Sequence, residues 1–123
     1  AIAFADRLLK QELPDEAATI VRAFQLALGR APTEEDLNSC LEHWRQATIE
    51  ETAKTHAPVV YSDRITRTVM AEKTGQPYSF EEIMPAYRNY QPDLQPSDVD
   101  ANTRGLAMVC RVLLNTNEFS YLD

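Results

Sequence analysis

The side chains best able to do chemistry in this chain are two cysteines, two histidines and a few clustered carboxylates. Cys40 and His43 stand three apart, a spacing that puts both on one helical face and within reach of a shared metal. Zinc, however, takes four protein ligands in a structural site, or three and a water in a catalytic one. The other imidazole, His56, lies more than three helical turns further on. The pair therefore reads as a core thiol beside a surface imidazole. Asp93, Asp98 and Asp100 gather in a proline-bounded loop and are the candidate metal ligands, because calcium draws six to eight oxygens from such loops. The EF-hand spacing and its glycine are missing, and Asp100 is wanted as a helix cap, so solvated loop carboxylates are the simpler reading. Covalent haem attachment needs Cys-x-x-Cys-His, which the chain lacks, and no cofactor is expected within it. Glu81 and Glu82 are adjacent and diverge on either a helix or a strand, which argues against a glycosidase pair. Gly29, Gly75 and Gly105 are isolated and indicate no phosphate cradle. A nucleophile, base and orienting acid meet only in space; none is visible in the sequence, and the chain reads as non-catalytic. Tyr61, Tyr78, Tyr87 and Tyr90, with Phe80, either form a carbohydrate or peptide platform or plug a small core, and the core is preferred.

The chain has 123 residues, the size of one domain, with 44% hydrophobic and 25% charged residues. The reading is a single helical domain over residues 1–123. Its formal net charge is −7 and its 12 basic residues are scattered. Nucleic-acid binding, which needs a basic face to neutralise phosphate, is set aside on that ground. No apolar run approaches the roughly 20 residues that span a bilayer, so no membrane insertion is expected. Residues Ala1 to Lys10 lack the basic region and apolar run of a signal peptide. Cys40 and Cys110 each fall on an apolar helical stripe and read as two buried thiols, with a bridge between helices as the alternative.

The elements that must position these groups are mainly helical. Ile2, Ala5, Leu8 and Leu9 fit one face of a first helix ending near Gln11. Asp15 can cap a second, whose stripe is Ala17, Ile20, Val21, Phe24 and Leu28 and whose end is Gly29. Thr33 opens a third, with Glu34, Glu35 and Asp36 on the positive end of its dipole. Its stripe is Leu37, Cys40, Leu41, Trp44 and Ala47 or Thr48, and Pro58 is its latest end. Residues 59–96 carry competing signals. A hairpin with a three-residue loop at Lys73–Gly75 would pair Met70 with Tyr78 and Thr68 with Phe80. A short helix through Ile65, Val69 and Glu72 is the competitor. Ser79 and Glu82 resemble a capping box, and a short or broken helix over 81–90 reconciles it with Pro85. Asp100 caps the last helix, with Leu106, Val109, Cys110 and Leu113 as its stripe, a wider arc from Met108, Val112 and Leu114, and Asn115 at its end. The tail Phe119, Tyr121 and Leu122 is apolar enough to pack down. The fold class expected is a small, mainly α bundle of four to five helices with a short hairpin in the middle.

Three stretches carry a resemblance: A-F-Q-L-A-L-G-R-A-P-T-E-E-D-L over Ala23 to Leu37, T-G-Q-P-Y-S-F-E-E from Thr74 to Glu82, and L-L-N-T-N-E-F-S-Y-L-D from Leu113 to Asp123. In this order they are similar to the C-terminal end of a planctomycete-specific domain of unknown function, found in large secreted proteins that often carry a planctomycete-type cytochrome c domain. The sequence departs from that pattern at Ala101, where proline often follows the aspartate, and at Pro85, where a helix more often continues. The resemblance implies a C-terminal fragment of a much longer protein, an extracytoplasmic home, haem only elsewhere in the parent, and no catalytic residues to carry over. It leaves two functions open. One is a non-catalytic structural or interaction module packed on other domains of its parent. The other is part of a redox or polysaccharide-directed enzyme completed by upstream domains.

Two expectations concern packing. Phe24, Trp44 and Leu106 each centre a stripe and should share one core. Ile2, Phe4, Leu8 and Leu9, with Phe119, Tyr121 and Leu122, put large apolar groups at both ends, so an exposed apolar surface and a homodimer of the isolated chain are expected through the first and last helices.

Overall fold

The computed structural model describes residues 1–121 and bears out a mainly α fold with a two-stranded hairpin in its middle. Helices α1 (Ile2–Leu9), α2 (Glu16–Leu28) and α3 (Glu34–Thr52) precede strands β1 (Arg64–Met70) and β2 (Pro77–Ile83). Helix α4 (Ala101–Leu114) and the single turn α5 (Asn117–Ser120) follow. The chain divides into two compact units, residues 1–58 with 93–123, and residues 59–92. Among the described residues no helix is long and apolar enough to cross a membrane.

In the helical unit the helix starts follow their local signals. Asp15 accepts the Ala18 N–H at 2.7 Å and Asp100 the Thr103 N–H at 2.8 Å. Thr33 and Asp36 form a reciprocal capping box at the start of α3. α2 ends at Gly29 and α4 at Asn115, as expected. Ala5 and Leu8 of α1, Ile20, Ala23 and Phe24 of α2, Trp44 of α3, and Leu106, Ala107, Val109, Cys110 and Leu113 of α4 make one core. Phe24, Trp44 and Leu106 therefore do share it. Helix α4 is central and packs on both α3 and α1. Helices α3 and α4 approach closely at Gly105. A Cβ there would lie 2.9 Å from the backbone nitrogen and 3.0 Å from the Cα of Thr48, and would also strike the Thr48 hydroxyl. The indole of Trp44, one turn before Thr48, donates to the Asn102 carbonyl at 3.2 Å and ties the same two helices.

The ends differ from expectation. Leu8 is fully buried, and Ile2, Phe4 and Leu9 are half-buried against the core. The first helix thus packs its apolar face within its own chain, with Ile2, Phe4 and Leu9 still partly exposed. Phe119 and Tyr121 are exposed rather than packed down, because α5 is fixed by polar contacts, the Thr116 cap and Glu118. Leu122 lies outside the described residues.

In residues 59–92 the hairpin is present with a different register. Thr68 pairs with Ser79, Val69 with Tyr78 and Met70 with Pro77, one residue from the expected pairing. The ladder closes at Ala71 and Gln76 around a four-residue loop, with Gly75 left-handed at φ 64°. An even loop in place of an odd one shifts every opposite pair by one. Ser79 and Glu82 do not cap a helix. They lie in β2, where Ser79 bonds the Thr68 hydroxyl at 2.8 Å and Glu82 ion-pairs with Arg67. The helix expected over 81–90 is β2 as far as Ile83, then one 3₁₀ turn at Pro85–Tyr87. Pro85 stands at that turn's first position, where its missing N–H costs nothing. The aromatics do not plug a core, since no residue of this unit is buried. Tyr61, Tyr87 and Tyr90 pack together, mainly edge to face, with ring centroids 4.9–6.1 Å apart, and Tyr78 and Phe80 form a separate pair at 6.0 Å.

Candidate functional site

The strongest polar constellation lies in the helical unit, around a carboxylate that the core stripe of α3 carries inward. Glu51 is four residues beyond Ala47 and seven beyond Trp44, so helical periodicity sends it to the buried side. Its side chain is 4% exposed. Lys54 donates to one carboxylate oxygen at 2.9 Å, while His56 at 2.8 Å and Arg104 at 3.0 Å meet the other. These bonds, that from Lys54 foremost, hold the Glu51 pKa below the ordinary carboxylate value, against desolvation that would raise it. Arg104 also donates to the carbonyls of Pro96, at 2.9 Å, and of Val99. A buried charge is tolerated only when paired and hydrogen-bonded in this way. One cluster thereby fastens α3, α4, the segment leaving α3 and the segment returning to α4.

Beside this cluster is a cavity of about 570 Å³. Helix α4 contributes Arg104, Ala107, Met108, Arg111 and Leu114 to its wall. Ile2 and Ala3 of α1, Glu51, His56, Asp93, Leu94 and Pro96 complete much of the rest.

A second polar hub joins α2, α3 and α5. Arg30 grips Glu118 in a two-point fork, Nε to Oε1 at 2.5 Å and Nη2 to Oε2 at 2.8 Å. It also reaches Asp36 at 3.2 Å and lies over the Phe24 ring. The Arg30 pKa is raised, mainly by the bond to Glu118, and the carboxyl pKa values of Glu118 and Asp36 are lowered. For Asp36 the main cause is the Thr33 backbone N–H, with Arg30 second. Two of the stretches that carry the family resemblance, Ala23 to Leu37 and Leu113 to Asp123, meet at this fork.

The residues singled out by sequence are not brought into one site. Asp98 accepts the Gln95 N–H at 2.8 Å, and Asp100 holds the N–H and hydroxyl of Thr103, which lower its pKa. Asp93 lies at the cavity wall, which Glu51 and His56 also line. Among the described residues no three His, Cys, Asp or Glu side chains form a metal-binding group. Cys40 and Cys110 are both free thiols. Cys40 is half-buried on α3 with its pKa raised by burial, and Cys110 is fully buried with its pKa pushed up to about 12. Glu81 and Glu82 each answer a different arginine, Arg64 and Arg67. Sequence reasoning missed Glu51, His56 and Arg104 as a cluster. The available signal was a glutamate on an apolar helical stripe. No protein-family model, no curated protein and no solved structure matches the chain.

Proposed function

We propose that this chain is a non-catalytic structural or interaction module of a large secreted, extracytoplasmic planctomycete-type protein, packed against other domains of its parent. The setting rests on the sequence resemblance alone. The observation that supports the non-catalytic reading is what the reactive side chains are doing. Glu51 is saturated by Lys54, His56 and Arg104, Asp98 and Asp100 cap turns, and Arg30 and Glu118 hold each other. A general acid or base needs an open path to substrate and a pKa near the working pH. Glu51 has its pKa moved the other way. Haem, where the parent carries it, belongs to another domain.

The alternative is a part of a redox or polysaccharide-directed enzyme completed by upstream domains. One feature favours it: His56 and Arg104 stand at a cavity wall. The test is to mix the purified chain with the remainder of its parent and titrate the association calorimetrically. A saturable one-to-one complex supports the module. No association at high micromolar concentration refutes it. Turnover that appears only on mixing, and that is lost with His56→Ala while the complex still forms, would install the alternative instead.

A further inference from the structure

Arg104 has two of its three guanidinium nitrogens engaged and one, Nη2, open. Its Nε and Nη1 bond Glu51 and the carbonyls of Pro96 and Val99. Its Nη2 has no protein acceptor among the described residues, where every buried side-chain polar atom has a partner, so Nη2 retains solvent access. Only 14% of the side chain is exposed, and Arg104 lines the cavity. Arg111 follows seven residues later, two turns along the same face of α4, on the same wall. It makes no ion pair among the described residues. Around these cations the lining is mostly apolar, with Ile2, Leu94, Met108 and Leu114. A volume of about 570 Å³ falls in the range of small-molecule sites.

We propose that this cavity binds a small amphipathic monocarboxylate. The carboxylate sits between Arg104 Nη2 and Arg111, and the apolar body lies along Ile2, Leu94 and Met108. One N–H from each of the two guanidinium groups can meet one oxygen of a carboxylate in a charge-assisted bond. A dianion such as phosphate has no apolar body to lay along Ile2, Leu94 and Met108, and it sets twice the negative charge of a carboxylate beside Glu51 and Asp93 on the same wall. An overall charge of −7 disfavours casual anion binding, so an anion held here must be held by this wall. The inference stands apart from the module reading and does not depend on it.

The probes are octanoate, 1-octanol and inorganic phosphate, titrated into the full chain and followed by calorimetry and amide chemical shifts. Octanoate should bind once per chain, with shifts centred on Ala107 to Leu114. Octanol should bind about tenfold more weakly, and phosphate should not saturate. Arg111→Ala should weaken octanoate about tenfold with an unchanged circular dichroism spectrum. Met108→Glu, which sets a carboxylate on the wall, should abolish binding. Octanoate that fails to bind at millimolar concentration overturns the proposal. So does octanol or phosphate that matches it, or affinity indifferent to Arg111→Ala.

Discussion

Gly105→Ala adds one methyl group at the crossing of α3 and α4, and its sign separates two ideas about that glycine. In an unconstrained helix the change would stabilise by about 1 kcal/mol through propensity. Here the new Cβ meets the Thr48 backbone nitrogen at 2.9 Å and Cα at 3.0 Å, as well as the hydroxyl. A side-chain rotation relieves only the hydroxyl, which is itself bonded to the Trp44 carbonyl at 2.9 Å. The backbone contacts require the helices to separate, and Leu106, Ala107 and Trp44 lose packing with them. Overpacking of this kind costs about 1–3 kcal/mol, and backbone atoms as obstacles put the cost at the upper end. Set against the propensity gain, the net loss is about 2 kcal/mol. Urea unfolding followed by Trp44 fluorescence and circular dichroism should show a midpoint lower by about 1 M. Adding Thr48→Ala removes the hydroxyl but leaves N and Cα, and should restore less than half of the loss. A Gly105→Ala protein as stable as wild type, or more stable, would refute the close crossing of these helices.

Trp44→Ala should cost about 3–5 kcal/mol, read by urea unfolding with circular dichroism; wild-type stability would show that the indole is not core. The lowered Glu51 pKa makes the unfolded chain the better proton binder, so the stability from this group is present above its ordinary value of 4.5 and is lost as pH falls through the lower folded value. Melting temperature against pH should therefore fall more steeply below that point in wild type than in Glu51→Gln, and parallel curves would contradict the pairing. Cys110, buried with a thiol pKa of about 12, should resist iodoacetamide until the protein unfolds, whereas half-buried Cys40 should label slowly in the native state; mass spectrometry of peptides distinguishes the two. Replacing Val59–Pro92 by a short Gly/Ser loop should leave the helical unit folded with a cooperative melt, because its core takes no residue from that stretch; loss of cooperativity would show otherwise.

Features of the fold set by neighbouring residues were legible in the sequence. Asp15, Thr33 and Asp100 cap within three residues, and Gly29 ends α2 within its own turn. The stripe of Leu106, Val109, Cys110 and Leu113 is buried as its spacing requires. Features set by distant residues were not. Glu51 meets Arg104 across 53 positions and Arg30 meets Glu118 across 88, and neither pair has a local signature. The hairpin lies between these cases. Its existence follows from β-branched residues and Gly75, but its register depends on whether the loop has three residues or four. The slip in register is resolved by pairs such as Thr68 with Ser79, which only the longer loop sets side by side. The Ser79–Glu82 signal misled because S-x-x-E is neutral between a cap and an exposed strand, and Pro85 prevents the helix it would start.

The place of α4 in the core has a consequence for synthesis of the chain. Leu106, Val109 and Cys110 are three of the five largest fully buried side chains, and all belong to this late helix. A nascent chain that has emerged only as far as Thr52 can coil α1, α2 and α3 but has nothing to close over Leu8, Ile20 and Phe24. At ribosomal speeds of about 5–20 residues per second, the stretch from there to Ala101 takes roughly 2–10 s to make. Ordering within a helix takes microseconds or less, so waiting and not coiling sets the pace of assembly. The hairpin, whose partners are close in sequence, can form during that wait, while the three earlier helices stay open to holdase chaperones and to one another. The emergence of α4 is then the committing step, joining both ends of the helical unit at once.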